Sequence, residues 1–114
     1  MYSATFIFEK KNYDAEFERL DALILQAAER NPGYLGHDWW ESPTQARTCV
    51  AYYWRTLADL EVFAKDPHHL TAKQGYAAWY QGYQVIIAEV QRVYGDGHIS
   101  SAFGTQAAGR HGVP

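Results

Sequence analysis

Two adjacent histidines, His68 and His69, stand shortly before a tryptophan–tyrosine pair, Trp79-Tyr80. An unperturbed imidazole titrates near pH ~6.5 and can take a proton from an acidic hydroxyl such as a phenol. Successive helical positions point about 100° apart, so only one of the two rings can face a cavity. His68 shares a stripe with Ala72, Gly75 and Trp79 and is the preferred catalytic residue, with His69 the neighbouring ligand contact. The plainer alternative is a solvent-facing or helix-capping histidine, because early helical turns are usually exposed. Around this pair, Tyr52, Trp54, Phe63, Trp79, Tyr80 and Tyr83 supply the π-faces and polar edges that would wall a pocket for a flat organic ligand. The same residue types also fill cores and subunit interfaces. Trp39 and Trp40 point to opposite faces of their strand, so at most one of them can share that pocket.

Other chemistries find less support. No two of the five histidines have the i, i+4 spacing that lets a helix present two metal ligands, and Cys49 is the single cysteine, so no protein metal site is expected. In an apolar stretch with no base beside it, Cys49 reads as packing, and it excludes an internal disulfide. Arg55 and Arg92, near strand ends, could bind an enolate or carboxylate oxygen, though structural ion pairs are the commoner outcome. A net charge of −3 leaves no basic field for nucleic acid. Without a signal-peptide pattern or a run long enough to span a bilayer, the expectation is a soluble cytoplasmic protein with no membrane partner.

The elements that must position these residues follow from periodicity. At 114 residues the chain is one domain by length. Residues 2–8 suit a strand. Phe17, Leu20, Leu23, Ile24, Ala27 and Ala28 recur at helical spacing and predict a helix from about Asp14 to Arg30. Asn31-Pro32-Gly33 should stop it, with Gly33 free to take positive φ. Tyr34–Glu41 and Arg47–Trp54 read as antiparallel neighbours across a short loop. Thr56 is a good N-cap, and Asp66-Pro67 restarts a broken second helix that should reach about Tyr80. Tyr83–Tyr94 is the longest strand candidate, apolar on both faces. Residues 1–95 thus form the domain, and 96–114 an extension expected to pack on its own or a partner subunit, with a short added strand over 98–103.

The order is β-α-β-β-α-β, the α+β ferredoxin-like arrangement: a four-stranded antiparallel sheet with two helices on one face. Strands apolar on both faces need a cover for the second face, and a two-fold copy is the simplest one.

The residues Pro32-Gly33-Tyr34-Leu35-Gly36, Tyr53-Trp54-Arg55-Thr56, Ala64-Lys65-Asp66-Pro67-His68, Trp79-Tyr80 and Val93-Tyr94-Gly95 resemble the antibiotic-biosynthesis monooxygenase (ABM) domain of the dimeric α+β barrel superfamily. The resemblance implies a small homodimer with an aromatic pocket between sheet and helices. It implies a monooxygenase that needs no cofactor and acts on a flat, phenolic or quinonoid, polyketide-like molecule, or a non-catalytic binder of the same fold. A haem-binding or haem-degrading branch is the third reading. That branch has an Asn on the first strand and a Trp and a His on the second helix. Here the corresponding positions are Phe63 and Lys73, with Ala4, Thr5 and Phe6 and no Asn on the strand, so all three depart from its pattern.

Overall fold

The first strand, β1 (Tyr2–Lys10), carries Tyr2, Ala4, Phe6 and Phe8 on one face, and that face receives the helices. The computed structural model describes residues 1–99. After β1, Asp14 caps α1 (Ala15–Arg30) by accepting from the Phe17 N–H at 2.8 Å. The α1 stripe at Leu20, Ile24 and Ala28 turns onto the sheet. β2 (Tyr34–Ser42) and β3 (Arg47–Trp54) form a hairpin, followed by α2 (Leu57–Ala64), α3 (Pro67–Gln74), the single turn α4 (Tyr76–Trp79) and β4 (Tyr80–Glu89). The sheet is antiparallel throughout, in the order β2-β3-β1-β4. This is the ferredoxin-like α+β fold expected from the order of elements.

Between Arg30 and Tyr34 the expected stop is present, but the glycine works differently from the expectation. Positive φ falls at Gly36, in the bulge of β2, and not at Gly33. Gly33 is required because a Cβ there would overlap the Asp59 side chain. Asn31 Nδ2 donates to the Asp59 carbonyl at 2.9 Å and the Arg55 N–H donates to the Gly33 carbonyl at 2.7 Å. The turn is therefore clamped onto the start of α2, where the Thr56 hydroxyl accepts from the Asp59 N–H.

Two boundaries at the last strand also move. The second helix divides into three pieces, because Asp66 recaps it through the N–H groups of His68 and His69, and because Gly75 lies close under Trp79. β4 begins at Tyr80 and ends at Glu89, earlier than Tyr83–Tyr94, because its partner is β1: Glu89 stands opposite Tyr2 and the Val90 N–H meets the Met1 carbonyl at 2.8 Å. His98 and Ile99 are in no strand, and residues 100–103 of the added strand, with the rest of the extension, lie outside the described residues.

Trp54, fully buried, centres the core with Ala28, Leu60 and Phe63. β4 lies beyond this cover. Val85 and Ile87 on the helix side and Ile86 on the other are 51%, 54% and 44% exposed. No helix of the described residues is long and apolar enough to cross a membrane.

Candidate functional site

Register decides which side chains share the space beneath α1. Tyr52 and Trp54 stand beside Ala4 and Tyr2, and Tyr83 beside Phe8, all on the helix face. The rings there form two groups. Near the β1–α1 corner, Tyr13 stacks on Phe17 at 3.8 Å between centroids, and Phe8 lies 4.8 Å from Tyr80. Trp79 presents its edge to Phe17 at 5.4 Å and donates its Nε1–H to the Asp14 carboxylate at 3.2 Å. Trp79 is thus committed to the structure: it ties the last helical turn to the cap of α1. Tyr83, half-exposed, meets Phe6 and Tyr76 edge-on at the outer margin.

The second group lies over β3. Trp54 packs on Phe63 at 4.8 Å, Tyr34 on Trp54 at 5.3 Å, and Tyr52 faces both Phe63 and His37. His69 closes the group at 5.0 Å from Phe63. Two polar atoms of this wall, Trp54 Nε1 and His69 Nδ1, are buried without a hydrogen-bond partner. Burial, helped by the Lys73 ammonium, holds the His69 imidazole below the ordinary histidine range, against the pull of the Ala64 carbonyl and Asp66. It is therefore neutral at physiological pH and able to accept a proton. His68 has no ring contact and no side-chain hydrogen bond among the described residues; only its backbone N–H is used, by Asp66. The preference for His68 as the inward ring thus finds no contact in its support. The restart at Asp66-Pro67 sets a helical phase that turns His69 onto Phe63.

On α1, the Asp21 carboxyl is exposed but partly desolvated, which raises it above the usual aspartate range, and its charge contributes to raising the hydroxyls of Tyr13, Tyr52 and Tyr80. For all three tyrosines burial is the larger cause, and it takes Tyr13 and Tyr52 to about 12. These hydroxyls keep their protons and act as donors. At the rim, Tyr34 Oη and His37 Nδ1 are 2.6 Å apart. Burial and then Glu29 push the Tyr34 hydroxyl up, and the two groups share one hydrogen bond.

The structure therefore brings Tyr52, Trp54, Phe63 and His69 together as one wall, with Tyr80, Trp79 and Tyr83 in the neighbouring group. Arg55 is engaged with Asp59 at 3.5 Å and Arg92 with Tyr94 at 3.3 Å, both at the surface. Sequence reasoning missed Tyr13, Asp21, Tyr34 and His37. The signal for Asp21 was available: it is i+4 from Phe17 and i−3 from Ile24, an acid within the apolar stripe. Tyr34 and His37 gave none, since the bulge at Gly36 changes which residues of β2 share a face. Among the described residues no cluster of three or more His, Cys, Asp or Glu could hold a metal ion.

Residues 5–95 match the model of the family described as monooxygenase af470-like. Among solved structures, SnoaB, a cofactor-independent oxygenase from Streptomyces nogalater, superimposes with a TM-score of 0.64 at 15% identity, over 81% of this chain and 94% of that one. An antibiotic biosynthesis monooxygenase superimposes at 0.60 and 15% identity, over 79% and 98%. A conserved protein from Methanosarcina mazei Go1 does so at 0.64 and 10%, over 79% and 92%. At these identities the likeness shows the shared fold. No curated protein matches the chain.

Proposed function

Because the chain belongs to the monooxygenase af470-like family, we propose that it oxygenates a flat, hydroxylated aromatic or quinonoid small molecule, with O₂ as oxidant and no metal or organic cofactor. The observation that carries this reading is the pair of unmet polar atoms in the aromatic wall, Trp54 Nε1 and His69 Nδ1. An unpaired buried polar atom costs about 1–3 kcal/mol, and a ligand oxygen between the rings would relieve that cost. Trp54 would donate to a ligand carbonyl, and neutral His69 would take the proton whose loss makes the ring electron-rich enough to react with O₂. Tyr52 and Phe63 would offer their faces and keep water out. For an anthrone the balance closes without a reductant. The ring CH₂ becomes C=O with one oxygen atom of O₂, and its two hydrogens leave with the other as water.

The same reading takes the protein as a homodimer. The apolar residues of β4 exposed on both faces support it, since a second copy would cover them. Light scattering on the purified protein tests this part directly.

The test of activity is oxygen uptake with 1,8-dihydroxyanthrone, measured above its autoxidation, with tryptophan fluorescence followed in the same samples. His69→Ala should lower the rate about 100-fold, and His68→Ala should leave it within about twofold of wild type, as expected for a side chain outside the wall. Loss in His68→Ala alone would return the proton-accepting role to His68. Fluorescence quenching without oxygen uptake would make the protein a binder. A Soret band on adding haemin would move the reading to haem.

A further inference from the structure

The aromatic wall over β3 continues without a break to β2, an edge strand of the sheet. Trp54 meets Tyr34 at 5.3 Å, Tyr52 meets His37 at 5.6 Å, and the Tyr34 hydroxyl and His37 Nδ1, 2.6 Å apart, close the circuit. His37 is exposed, so this hydrogen bond lies where the wall opens to water. Whichever of the two groups supplies the hydrogen, the Tyr34 oxygen keeps capacity for a second bond. Two residues on, about 7 Å along the strand, Trp39 projects from the same face as His37. His37 stands opposite Tyr52, and Trp39 opposite Val50, so this is the helix face, and Trp39 is the one of the two neighbouring tryptophans on the side of the wall. Its indole is 63% exposed: the helices leave this stretch of β2 open, and a large apolar face stands in water beside the wall. Trp40 and Ile86 lie on the opposite face, so a second copy laid over that face would cover them and leave Trp39 open.

We propose that this edge of β2 is a subsite for the outer ring of a flat aromatic ligand. The ring lies on the Trp39 indole, and a hydroxyl on it bonds the Tyr34 hydroxyl, which His37 holds in position. This rests on the reading that such a ligand lies along the Trp54 and His69 wall. It adds a requirement which that wall does not impose: a ring system long enough to reach the edge strand, with a hydroxyl at the end that faces water. A hydroxyl both donates and accepts, so it pairs with Tyr34 in either sense of the bond to His37. A methyl group of similar size pairs in neither. Tyr34 and Trp39 are thus binding residues, and His37 is a positioning residue.

Two readouts on the full chain test the subsite without turnover. Of the four tryptophans, Trp54 and Trp79 are buried, so in Trp40→Phe the fluorescence that iodide can quench comes from Trp39. Saturating 2,6-dihydroxyanthraquinone should abolish that iodide quenching. In Trp39→Phe it should leave the iodide quenching of Trp40 as it was. The second readout is the affinity ratio of 2,6-dihydroxyanthraquinone to 2,6-dimethylanthraquinone, from fluorescence titrations in mildly acidic buffer, where the phenols keep their protons. Tyr34→Phe should lower this ratio about three- to tenfold, as one lost hydrogen bond does. His37→Ala should lower it as well, and His37→Asn, whose amide can bond Tyr34, should return it to within about twofold of wild type. A purely structural role for His37 would weaken both compounds alike and leave the ratio unmoved. Iodide quenching of Trp39 that persists under saturating ligand, or a ratio unchanged in Tyr34→Phe, would each overturn the subsite. Failure of both compounds to bind the wild type would overturn it together with the aromatic-ligand reading. Shielding of Trp39 and the expected ratios, without oxygen uptake from 1,8-dihydroxyanthrone, would break the oxygenase reading alone.

Discussion

The two aromatic groups under the helices are built from the same residue types and differ in what their polar atoms do. In the corner group the Trp79 indole N–H is spent on Asp14, the acid that also caps α1. In the group over β3 the Trp54 indole N–H and a His69 nitrogen are spent on nothing. A ring whose polar edge is satisfied inside the fold works as packing. A ring whose edge is buried and unmet carries a cost that binding can recover. Tryptophan by itself therefore does not mark a site, and the state of its N–H separates the two groups. Among the carboxylates, Asp14 and Asp66 are consumed in the same way as the Trp79 N–H, as helix caps.

Substitution can break this comparison or sharpen it. The largest effect is expected at Trp79. Trp79→Ala removes a buried ring and the tie to Asp14 together, and should cost about 3–5 kcal/mol in denaturant unfolding. A loss under about 1 kcal/mol would show that the corner group is not the structural one. Trp54→Phe keeps most of the ring volume and deletes the unmet N–H. Stability should change by no more than about 1 kcal/mol, while the affinity for 1,8-dihydroxyanthraquinone, read by fluorescence, falls about tenfold. A large loss of stability with unchanged affinity would put Trp54 with Trp79.

The smallest effect is a pH dependence. The His69 imidazole is held below its unfolded value, so the unfolded chain binds the proton more readily. The stability that goes with the neutral ring is present above about pH 6.5 and is lost as pH falls through the lower folded value. Thermal melts between pH 7.5 and 5 should therefore decline less steeply in His69→Phe than in the wild type. Parallel curves would mean that the ring is as well solvated folded as unfolded.

Much of this was legible in the chain. The strand Arg47–Trp54 matches the structure at both ends, the helix beginning at Asp14 was correct to its cap, and the motif resemblance is met by a family match over residues 5–95. Caps, proline restarts and alternating apolar residues are local signals, and they act through a few neighbouring residues wherever the chain lies. The boundaries that moved involve partners far away in sequence: the last residue of β4, Glu89, pairs with Tyr2 of β1, and Gly33 is a glycine because Asp59 approaches it.

The candidate site divides in the same way. Sequence by itself determined that rings and imidazoles would gather under the helices, since residue type and period are enough for that. Only the tertiary structure decided that His69 and not His68 meets Phe63, and that Trp79 is satisfied and Trp54 is not. Whether a polar atom is satisfied depends on atoms brought from other elements to within about 3 Å, and no spacing along one segment records that distance.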